Sequence, residues 1–401
     1  MSSPLEGIKV VDCTTWLQGP FAATLLGDLG ADVIKIEQRG VGDPLRGYLV
    51  GHYQEYQRNV PYRNINRNKR GMALDLRKQQ GREIVYQLIK KSDVLMHNLR
   101  PQAAKKLGLD YEALSSLNPR LVYAQASGWG LKGPESERAV FDAAAAARIG
   151  LMSILSEKGV AEPKYNQNIA LCDMAGGLCL AMGILAALQA RERIGRGQMV
   201  DTSVFGSAIT LVTWPMGRAL GYSDEPLGPP RTEARNPLYN SYKCADGEWI
   251  YLIMLQFDRH WSAFCEAVGI KELEKDPRFK NLEAILKHTT ELIPILDRVF
   301  ATRPRAEWMR ILDEQDLFYA PIKKLCDLVN DPQAMANDYI VEFDHPTYGG
   351  EKMVGFPYNF SETSASVRRP CPEFGQHTEE VLLELGYAWD DIAKFKEEEV
   401  I

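Results

Sequence analysis

The N-terminal half of the chain alternates short β-branched runs with longer helix-forming runs, and this alternation restricts the fold more than any other feature. It predicts strands at 8–11, 31–37, 71–76, 94–98, 121–127 and 198–204, and helices at 21–29, 80–91, 111–117 and 174–191. Gly30, directly after the first predicted helix, is a typical helix stop. Strands that alternate with helices form a parallel sheet with helices on its faces. The sequence therefore predicts an α/β domain.

The second half of the chain predicts a smaller domain. The 401 residues exceed the common size of one domain, and the composition changes to Gly, Pro and charged residues at 221–235. Two predicted strands at 238–243 and 249–254 flank a turn, and helices are predicted at 258–268, 282–300 and 305–313. We expect 320–326 to lead back to the first domain and 374–386 to form a helix. The predicted division is a large domain at 1–220, a small α+β domain at 221–325, and a returning segment at 326–401.

Composition excludes several classes of function. The net charge of −6 argues against nucleic-acid binding as the main role. The seven cysteines are scattered without a C-x-x-C pair, and the six histidines are equally dispersed, so neither a metal nor a redox site is expected. The N-terminus lacks the basic and apolar parts of a signal peptide, and the apolar run at 178–190 is too short to cross a bilayer. These features predict a cytoplasmic protein with reduced thiols.

One carboxylate stands out in the central part of the chain. Asp173 precedes Gly176 and Gly177 at the predicted start of a buried apolar helix, where free backbone N–H groups and the helix dipole favour a negative charge. On spacing alone, a simple N-cap is the commoner role for such an aspartate. No histidine lies between His97 and His260, which excludes histidine acid–base catalysis from this segment. A carboxylate there can instead attack an activated acyl group and form a mixed anhydride. The two glycines have no side chains to obstruct a ligand that approaches Asp173.

Basic residues cluster in the loops near the predicted strand ends. They are Arg39, Arg46, Arg67, Lys69, Arg70, Arg100, Lys105 and Lys106. Loops beyond the carboxyl ends of parallel strands bind ligands, and several cations there suit a phosphorylated anion, although a solvated surface is the commoner role of each residue alone. The first βα turn contains Gln18-Gly19-Pro20 in place of G-x-G-x-x-G. NAD binding is therefore not expected, even though Glu37 imitates the ribose-binding acid of a dinucleotide fold.

Motifs along nearly the whole chain resemble the family III CoA-transferases of the CaiB/BaiF type. The matching segments are 5–12 (LEGIKVVD), 19–20 (GP), 29–37 (LGADVIKIE), 66–70 (NRNKR), 73–76 (ALDL), 108–111 (GLDY), 118–123 (NPRLVY), 127–130 (SGWG), 195–198 (GRGQ), 245–247 (ADG), 331–333 (DPQ) and 375–378 (GQHT). The resemblance implies a Rossmann-like large domain and an interlocked homodimer. The predicted linkers near 205–235 and 315–345 are compatible with interlocking.

The resemblance also implies a mechanism and a set of site residues. The aspartate at the position of Asp173 is the family's nucleophile, which forms an aspartyl anhydride and then an aspartyl-CoA thioester, with acyl-CoA and a carboxylic acid as substrates and no metal or redox cofactor. Backbone N–H groups near Gly176 would stabilise the developing oxyanions. Five positions match family contacts to coenzyme A, with the cations suited to the phosphates and the asparagine to an amide or ribose. They are Gln18, Arg39, Leu74, Asn98 and Lys106.

The substrate branch and the reaction leave alternatives open. Residues 234–240 (ARNPLYN) replace the glycine run of the formyl-CoA transferases, whereas 236–237, 241–243 and 336–339 are closer to the branch that acts on 2-hydroxy acids, and 242–247 is shared with carnitine transferases. A 2-methylacyl-CoA racemase has the same fold but uses a histidine beside its aspartate, and this chain has Phe141-Asp142 followed by alanines. Asp142 is either an assisting or a structural carboxylate. A non-catalytic CoA-binding protein is the third possibility, against which the retained Asp173 argues.

Overall fold

Segments of two structural units alternate along the chain. The computed structural model describes residues 2–48, 59–157, 160, 162–166, 168–223 and 227–401. The first unit consists of Met1–Leu151, Tyr165–Leu220 and Gln333–Ile401, and the second of Met152–Lys164 and Gly221–Pro332. The chain thus returns to the first unit at Gln333 rather than at 326, because the expected return segment supplies a strand to the second unit. The excursion at 152–164 has no counterpart in the sequence analysis.

The first unit is built on a six-stranded parallel sheet, as predicted. Its strands are β1 (Lys9–Cys13), β2 (Asp32–Gln38), β3 (Lys69–Leu74), β4 (Val94–His97), β5 (Val122–Ser127) and β6 (Met199–Ser203). Their order is β3-β2-β1-β4-β5-β6, with every neighbouring pair parallel. The strand order reverses between β1 and β4, and this reversal leaves a crevice beyond the carboxyl ends of these two strands.

Helices cover both faces of this sheet. Those of the first unit are Gln18–Asp28, Leu45–Tyr48, Val60–Asn64, Gln79–Lys90, Pro101–Lys106, Tyr111–Leu117, Asp142–Arg148, Leu171–Ile194, Val204–Leu211, Thr213–Tyr222, Thr378–Leu385 and Trp389–Glu397. Two short helices, Leu151–Ile154 and Pro332–Ala336, lie at the unit boundaries, and β10 (Ile340–His345) pairs with β11 (Gly349–Val354) as an antiparallel hairpin. The linker expected from 205 onward is instead helical up to Tyr222.

Alternate residues of each strand face opposite cores, as the pleat of a strand requires. Val10, Val33 and Val122 pack with the helices Gln18–Asp28 and Leu171–Ile194 on one face. Val11, Ile34 and other strand residues pack on the opposite face with Gln79–Lys90 and the two C-terminal helices. Both faces of the sheet are therefore buried, which accounts for the nearly continuous apolar runs in its strands.

The second unit has a small sheet of its own. Its strands β7 (Ser241–Lys243), β8 (Trp249–Leu252) and β9 (Tyr319–Ile322) are antiparallel in that order. Its helices are Phe257–Val268, Leu282–Ile285, Thr289–Phe300 and Arg305–Asp313, with 3₁₀ turns at Arg231–Glu233, Lys271–Lys275 and Leu325–Asn330. The helix predicted at 282–300 is thus divided in two. Trp261, Phe264, Phe300 and Trp308 fill the core between the helices and the sheet.

The helix Leu171–Ile194, the long helix below, is the element that matters most for the site. The helix has 24 residues, and its most apolar 18-residue window has a mean hydropathy of 1.9, so by length and composition it could cross a membrane. The prediction of a run too short to do so, made for 178–190, therefore does not hold for the whole helix. Half of its most apolar window is buried inside the protein, where it packs on Gln18–Asp28, β5 and β6. This packing explains the apolar composition without a membrane.

Two glycines allow the long helix to approach the first helix closely. A Cβ added at Gly176 would lie 2.8 Å from Cγ of Gln18, and one added at Gly177 would lie 2.7 Å from Cδ1 of Phe21 and 2.9 Å from the Gln18 carbonyl oxygen. Such separations are shorter than van der Waals contact. The glycines therefore serve helix packing here.

We predict that Gly177→Ala destabilises the protein even though alanine is the better helix former. Overpacking costs about 1–3 kcal/mol, which exceeds the helix-propensity gain of about 1 kcal/mol. Gly217→Ala, in a helix where an added Cβ meets nothing within 4 Å, is the matched control and should be neutral or stabilising. Urea-unfolding midpoints of the two variants measure the difference. A higher midpoint for Gly177→Ala would contradict the packing role.

Candidate active site

A cleft of about 290 Å³ lies beyond the carboxyl ends of β1, β4 and β5, at the point where the strand order reverses. Ligand sites in open α/β sheets occur at this position. The residues that line the cleft are Thr15, Trp16, Leu17, Gln18, Asn98, Arg100, Ala126, Ser127, Gly128, Arg138, Ala139, Val140, Phe141, Asp173 and Val204. They come from strand ends, from the loops that follow, and from the first turns of helices, which the sheet brings together.

Five helices begin at this cleft. Leu17, Arg100 and Phe141 are the N-cap residues of three of them, and Asp173 and Val204 lie in the first turns of two others. Each helix N-terminus carries a partial positive charge and unpaired N–H groups. The cleft is therefore suited to an anionic ligand and to negative charge that develops during a reaction.

Asp173 is the third residue of the long helix and is not its cap. The N-cap position is held by Ala170, in a left-handed conformation (φ 52°) and without a side-chain cap bond. Oδ1 of Asp142 instead accepts the N–H groups of Cys172 at 2.7 Å and Asp173 at 3.0 Å. The alternative that Asp173 is a simple N-cap is wrong, because a residue 31 positions earlier does the capping.

The carboxylate of Asp173 is consequently left to the cleft. Within the described part of the chain, no hydrogen bond holds its oxygens, and the side chain is half-buried. Burial, and then the negative charge of Asp142, raise the pKa of Asp173 to about 7. A carboxylate that is poorly solvated and more basic than usual is a stronger nucleophile than an ordinary surface aspartate.

Buried charges fix the loop that follows β1. Lys35 Nζ donates to the carbonyl of Thr14 at 2.9 Å and to Oδ2 of Asp43 at 2.9 Å. Oδ1 of Asp43 accepts the N–H of Trp16 at 3.2 Å, and Trp16 has φ 68°, in the left-handed region that non-glycine residues seldom adopt. This network holds Trp16 in a strained backbone conformation at the wall of the cleft.

A second buried lysine ties the network to the first helix. Lys69 Nζ donates to Oδ2 of Asp12 at 3.0 Å and to the carbonyl of Pro20 at 2.9 Å, while Oδ1 of Asp12 accepts the N–H of Thr14 at 2.9 Å. Burial would raise the pKa of Asp12, but Lys69 and Lys35 hold it below its usual range. Burial lowers the pKa of Lys69 to about 8, although Asp12 opposes the shift.

The structure brings three of the sequence-predicted site residues together. Gln18, Asn98 and Asp173 line the same cleft, with Asp142 directly behind Asp173. The Asn98 side chain accepts the N–H of Thr15 at 3.1 Å and donates to its carbonyl at 2.8 Å, and so joins the loop after β4 to the loop after β1. Gln18 Nε2 donates to the carbonyl of Thr202 at 3.1 Å.

The other three predicted CoA contacts do not line this cleft. Arg39 Nε donates to the main-chain oxygen of Ile401 at 2.7 Å, and its NH1 atom lies 3.5 Å from Glu399. Leu74, at the end of β3, is buried in the sheet core. Lys106 is exposed at the end of Pro101–Lys106.

Several of the basic residues considered for a phosphate site form internal ion pairs instead. Arg46 pairs with Glu37, Arg67 with Asp28, Lys69 with Asp12, and Arg70 with Asp32, Glu380 and Glu384. The charge-cluster expectation was therefore wrong for these four, because carboxylates distant in sequence fold against them. Arg100, Lys105 and Lys106 are exposed.

The expected roles of Gly176 and Gly177 also need correction. Both are buried against Gln18 and Phe21, so they do not open a path to Asp173. Gly176 is the sixth residue of the long helix, and its N–H therefore belongs to the i→i−4 ladder of the helix interior. The N–H groups near Gly176 are not positioned as oxyanion donors.

Sequence reasoning missed three aromatic residues at the site. The rings of Trp16 and Phe141 meet edge to face with centroids 5.6 Å apart and form an apolar wall of the cleft. The hydroxyl of Tyr165 donates to Oδ2 of Asp142. The position of Phe141, directly before Asp142, was the available signal for one of them, whereas the contact of Tyr165 has no local sequence signature.

In the ranges described, no group of three or more His, Cys, Asp or Glu side chains is arranged to hold a metal ion. All seven cysteines are free thiols.

The fold and the cleft define an α/β protein whose Asp173 carboxylate has a raised pKa, no hydrogen-bond partner among the described residues, and several helix N-termini around it. This arrangement suits acyl transfer. A sequence model of CoA-transferase family III matches residues 5–378, and the chain belongs to this family. It is 33% identical to the (R)-2-hydroxy-4-methylpentanoate CoA-transferase of Clostridioides difficile over 399 residues, which cover 99% of both proteins. The resemblance drawn from the sequence motifs is confirmed.

Two further comparisons agree with this assignment. The cinnamoyl-CoA:phenyllactate CoA-transferase of Clostridium sporogenes is 33% identical over 99% of this chain and 97% of that protein. The crystal structure of a CaiB/BaiF family protein from Brucella suis superimposes with a TM-score of 0.86 at 29% identity, over 96% of this chain and all of that one. The chain is thus a family III CoA-transferase.

The raised pKa of Asp173 predicts a pH-dependent cost in stability. Its carboxyl holds a proton in the folded chain up to about pH 7 but in the unfolded chain only to about pH 4. Folding therefore becomes less favourable as the pH rises through this interval. Asp173→Asn should stabilise the protein by ~1 kcal/mol at pH 8 and not at pH 4, as measured by urea unfolding at both values. An equal gain at both pH values would contradict the shift.

Proposed function

We propose that this CoA-transferase moves coenzyme A from an acyl-CoA thioester to a free carboxylic acid through covalent intermediates on Asp173. The observation that carries the proposal is the Asp173 carboxylate, which faces the cleft free of the capping bonds that Asp142 makes in its place. A carboxylate nucleophile needs no second base, because it already carries the electron pair with which it attacks.

The first half of the reaction transfers coenzyme A to the enzyme. An oxygen of Asp173 attacks the thioester carbonyl, the carbon–sulfur bond breaks, and CoA thiolate leaves, which forms an aspartyl-acyl anhydride. The thiolate then attacks the Asp173 side-chain carbonyl. The donor's carboxylate departs, and Asp173 carries coenzyme A as a thioester.

The second half runs these steps in reverse with the acceptor. The acceptor carboxylate attacks the aspartyl thioester and releases CoA thiolate, which leaves a second anhydride. The thiolate attacks the acceptor's acyl carbon, and the new acyl-CoA and the free Asp173 carboxylate are formed. Each tetrahedral oxyanion develops beside helix N-termini that open into the cleft, and their positive ends would stabilise it.

We propose a small organic acid, such as a 2-hydroxy acid, as the acceptor. Two relatives are named for (R)-2-hydroxy-4-methylpentanoate and for phenyllactate, acids with an apolar body. The Trp16–Phe141 wall offers apolar contact to such a body, and Arg100 and Arg138 in the same cleft offer charge to a carboxylate. The volume of about 290 Å³ suits a small acid.

Coenzyme A would extend from this cleft over the loops that follow the strands. Gln18 and Asn98 are proposed contacts near the thioester, and Arg39, Leu74 and Lys106 are proposed contacts farther along the cofactor. Arg39 now engages Glu399 and Ile401, so phosphate binding at Arg39 would compete with these bonds. No metal or redox step is part of the proposed reaction.

An interlocked homodimer in the cytoplasm remains part of the proposal. No residue of the helix Thr213–Tyr222 is buried, and Trp214 is 93% exposed. An apolar helix that the chain itself leaves uncovered is suited to contact a second copy. Light scattering that gives the mass of one chain would rule out the dimer.

The racemase alternative finds little support in the cleft. A racemase needs an acid and a base on opposite sides of an α-carbon, and the described residues that line the cleft include no histidine. Asp142 is unsuited to the second role, because its two oxygens accept bonds from Cys172, Asp173 and Tyr165. The Asp173 carboxylate, which has no hydrogen-bond partner among the described residues, likewise argues against a non-catalytic protein that only binds coenzyme A.

We predict that Asp173→Asn lowers kcat for CoA transfer by at least about a thousandfold, because the amide cannot form the anhydride. Asp390→Asn changes another aspartate in the first turn of a helix, outside the cleft, and should keep wild-type activity. A chromatographic assay of acyl-CoA exchange, with circular dichroism as a control for folding, measures both. Residual transfer above one per cent in Asp173→Asn would defeat the proposed mechanism.

For Arg39, we predict that replacement by alanine weakens CoA binding by ~1–2 kcal/mol, with a larger effect at low salt, because a phosphate contact is electrostatic. Arg77→Ala, which removes an exposed arginine paired with Asp75, is the control. Calorimetric titration with coenzyme A at two salt concentrations measures the change. An unchanged affinity would remove Arg39 from the binding site.

A further inference from the structure

We propose that Asp142 and Tyr165 act as a positioning pair for the nucleophile: they cap the long helix so that the Asp173 carboxylate stays free, and they hold a negative charge beside it. This inference rests on the proposed role of Asp173. It assigns Asp142 a task in the reaction that a structural cap alone does not have, although Asp142 touches no reacting atom.

The capping geometry explains why Asp173 is available. The first N–H groups of any helix lack partners, and an aspartate in the first turn commonly folds back to accept them. Here the cap position holds Ala170, and buried Asp142 accepts the N–H groups of Cys172 and Asp173 with one oxygen. Asp173 therefore has no cap bond to exchange for a bond to substrate.

Asp142 is held at the meeting point of two helices. It is the first residue of Asp142–Arg148, whose N-cap Phe141 lines the cleft, and it contacts the start of the long helix. The positive ends of both helices favour a negative charge there. The cleft wall and the nucleophile are thus joined through one side chain.

Tyr165 fixes the orientation of the Asp142 carboxylate. Its hydroxyl donates to Oδ2, the oxygen that the helix does not use. Burial, and then the bond and the charge of Asp142, raise the pKa of the Tyr165 hydroxyl above its usual range, so the hydroxyl keeps its proton at neutral pH. The carboxylate consequently cannot rotate without loss of a bond at one end or the other.

Few other charges bear on Asp173. The helices Gln18–Asp28 and Val204–Leu211, which pack on the long helix, present neutral Gln18 and an uncharged sequence, and β5 presents uncharged residues. Among the described residues, the other titratable or charged groups on these elements are Tyr123 on β5, Asp28 (paired with Arg67), Asp201 on β6, Arg148 at the far end of Asp142–Arg148, and Cys172, Cys179, Arg191, Glu192 and Arg193 on the long helix, the last three near its C-terminal end. Arg100 and Arg138 line the cleft, and Arg138 is paired with Glu135. Asp142 is the charged group that raises the pKa of Asp173.

The cap and the charge can be separated by substitution. In Asp142→Asn, the side-chain carbonyl still accepts the two N–H groups, but the charge is lost. In Asp142→Ala, both are lost. Asp201→Asn removes a charge from the neighbouring strand and serves as the control. The pH dependence of kcat/KM between pH 5 and pH 9, measured on the full chain, is compared for all four proteins.

We expect crossing pH profiles for wild type and Asp142→Asn. Loss of the charge lowers the pKa of Asp173, so the acidic limb of the variant moves to lower pH by about half a unit or more. The same change weakens the nucleophile, so the variant is about twofold to tenfold slower than wild type at pH 9. Asp142→Ala should lose at least about tenfold in kcat at every pH, because the first turn is no longer held in place.

An activity-independent measurement separates failure of this inference from failure of the proposed function. Carbon-13 labelled aspartate, assigned with Asp173→Asn, reports the titration of Asp173 directly, and its midpoint should be lower in Asp142→Asn than in wild type or Asp201→Asn. If the wild type is active but Asp142→Asn has the same titration midpoint of Asp173 and the same pH profile as the wild type, the positioning role is overturned. A lowered midpoint in a protein without transfer activity would support the pair and defeat the proposed function.

Discussion

The cleft depends above all on two lysines that are completely buried beneath it. Lys35, within β2, contacts Asp43 and the carbonyl of Thr14 in the loop after β1. Lys69, at the start of β3, contacts Asp12 of β1 and the carbonyl of Pro20 in the first helix. A buried charge without its partner is strongly destabilising, so no member of this network can be removed alone. The network forces Trp16 into a left-handed conformation and places Gln18 at the cleft, where the first helix begins.

On the opposite side of the cleft, the Asp142 carboxylate caps the long helix, whose own N-cap residue makes no side-chain cap bond. One aspartate therefore caps the helix and the other faces the cleft, and their environments differ accordingly. Asp142 satisfies three donors, whereas Asp173 has a raised pKa and no bonded partner among the described residues. Because both sides are fixed by buried polar contacts, the distance between the Trp16–Phe141 wall and the nucleophile is set by the fold rather than by loop flexibility.

The sequence predicted the parallel sheet well because its strands are buried on both faces and read as apolar runs between helices. It also placed the helix 111–117 and the helix 305–313 at their observed bounds. It could not give the strand order, which depends on packing between distant segments. The linker prediction failed at 205–222 because Val204–Leu211 packs on the long helix and Thr213–Tyr222 is an exposed helix. An exposed apolar helix resembles neither a core helix nor a polar loop.

For the site, motif resemblance indicated Asp173, but local spacing suggested a cap, and the true cap lies 31 residues away. The prediction of a phosphate site at the basic loop residues failed for the same reason. Arg46, Arg67 and Lys69 each neutralise a carboxylate that lies 9, 39 and 57 positions away, respectively, and sequence spacing does not show such pairs. Pairings of this kind decide which charges remain for a ligand, and only the folded chain shows them.

Mass spectrometry of the intact protein after brief incubation with a panel of acyl-CoA donors is the direct test for covalent intermediates on Asp173. Hydroxylamine or borohydride would trap the aspartyl anhydride and the aspartyl-CoA thioester, and peptide mapping would locate the modified residue. We predict a mass change confined to the peptide that contains Asp173 and absent from Asp173→Asn. The contradicting result is the absence of an adduct with every donor, together with exchange of the α-proton of the acyl group in deuterated water, which would indicate racemase chemistry.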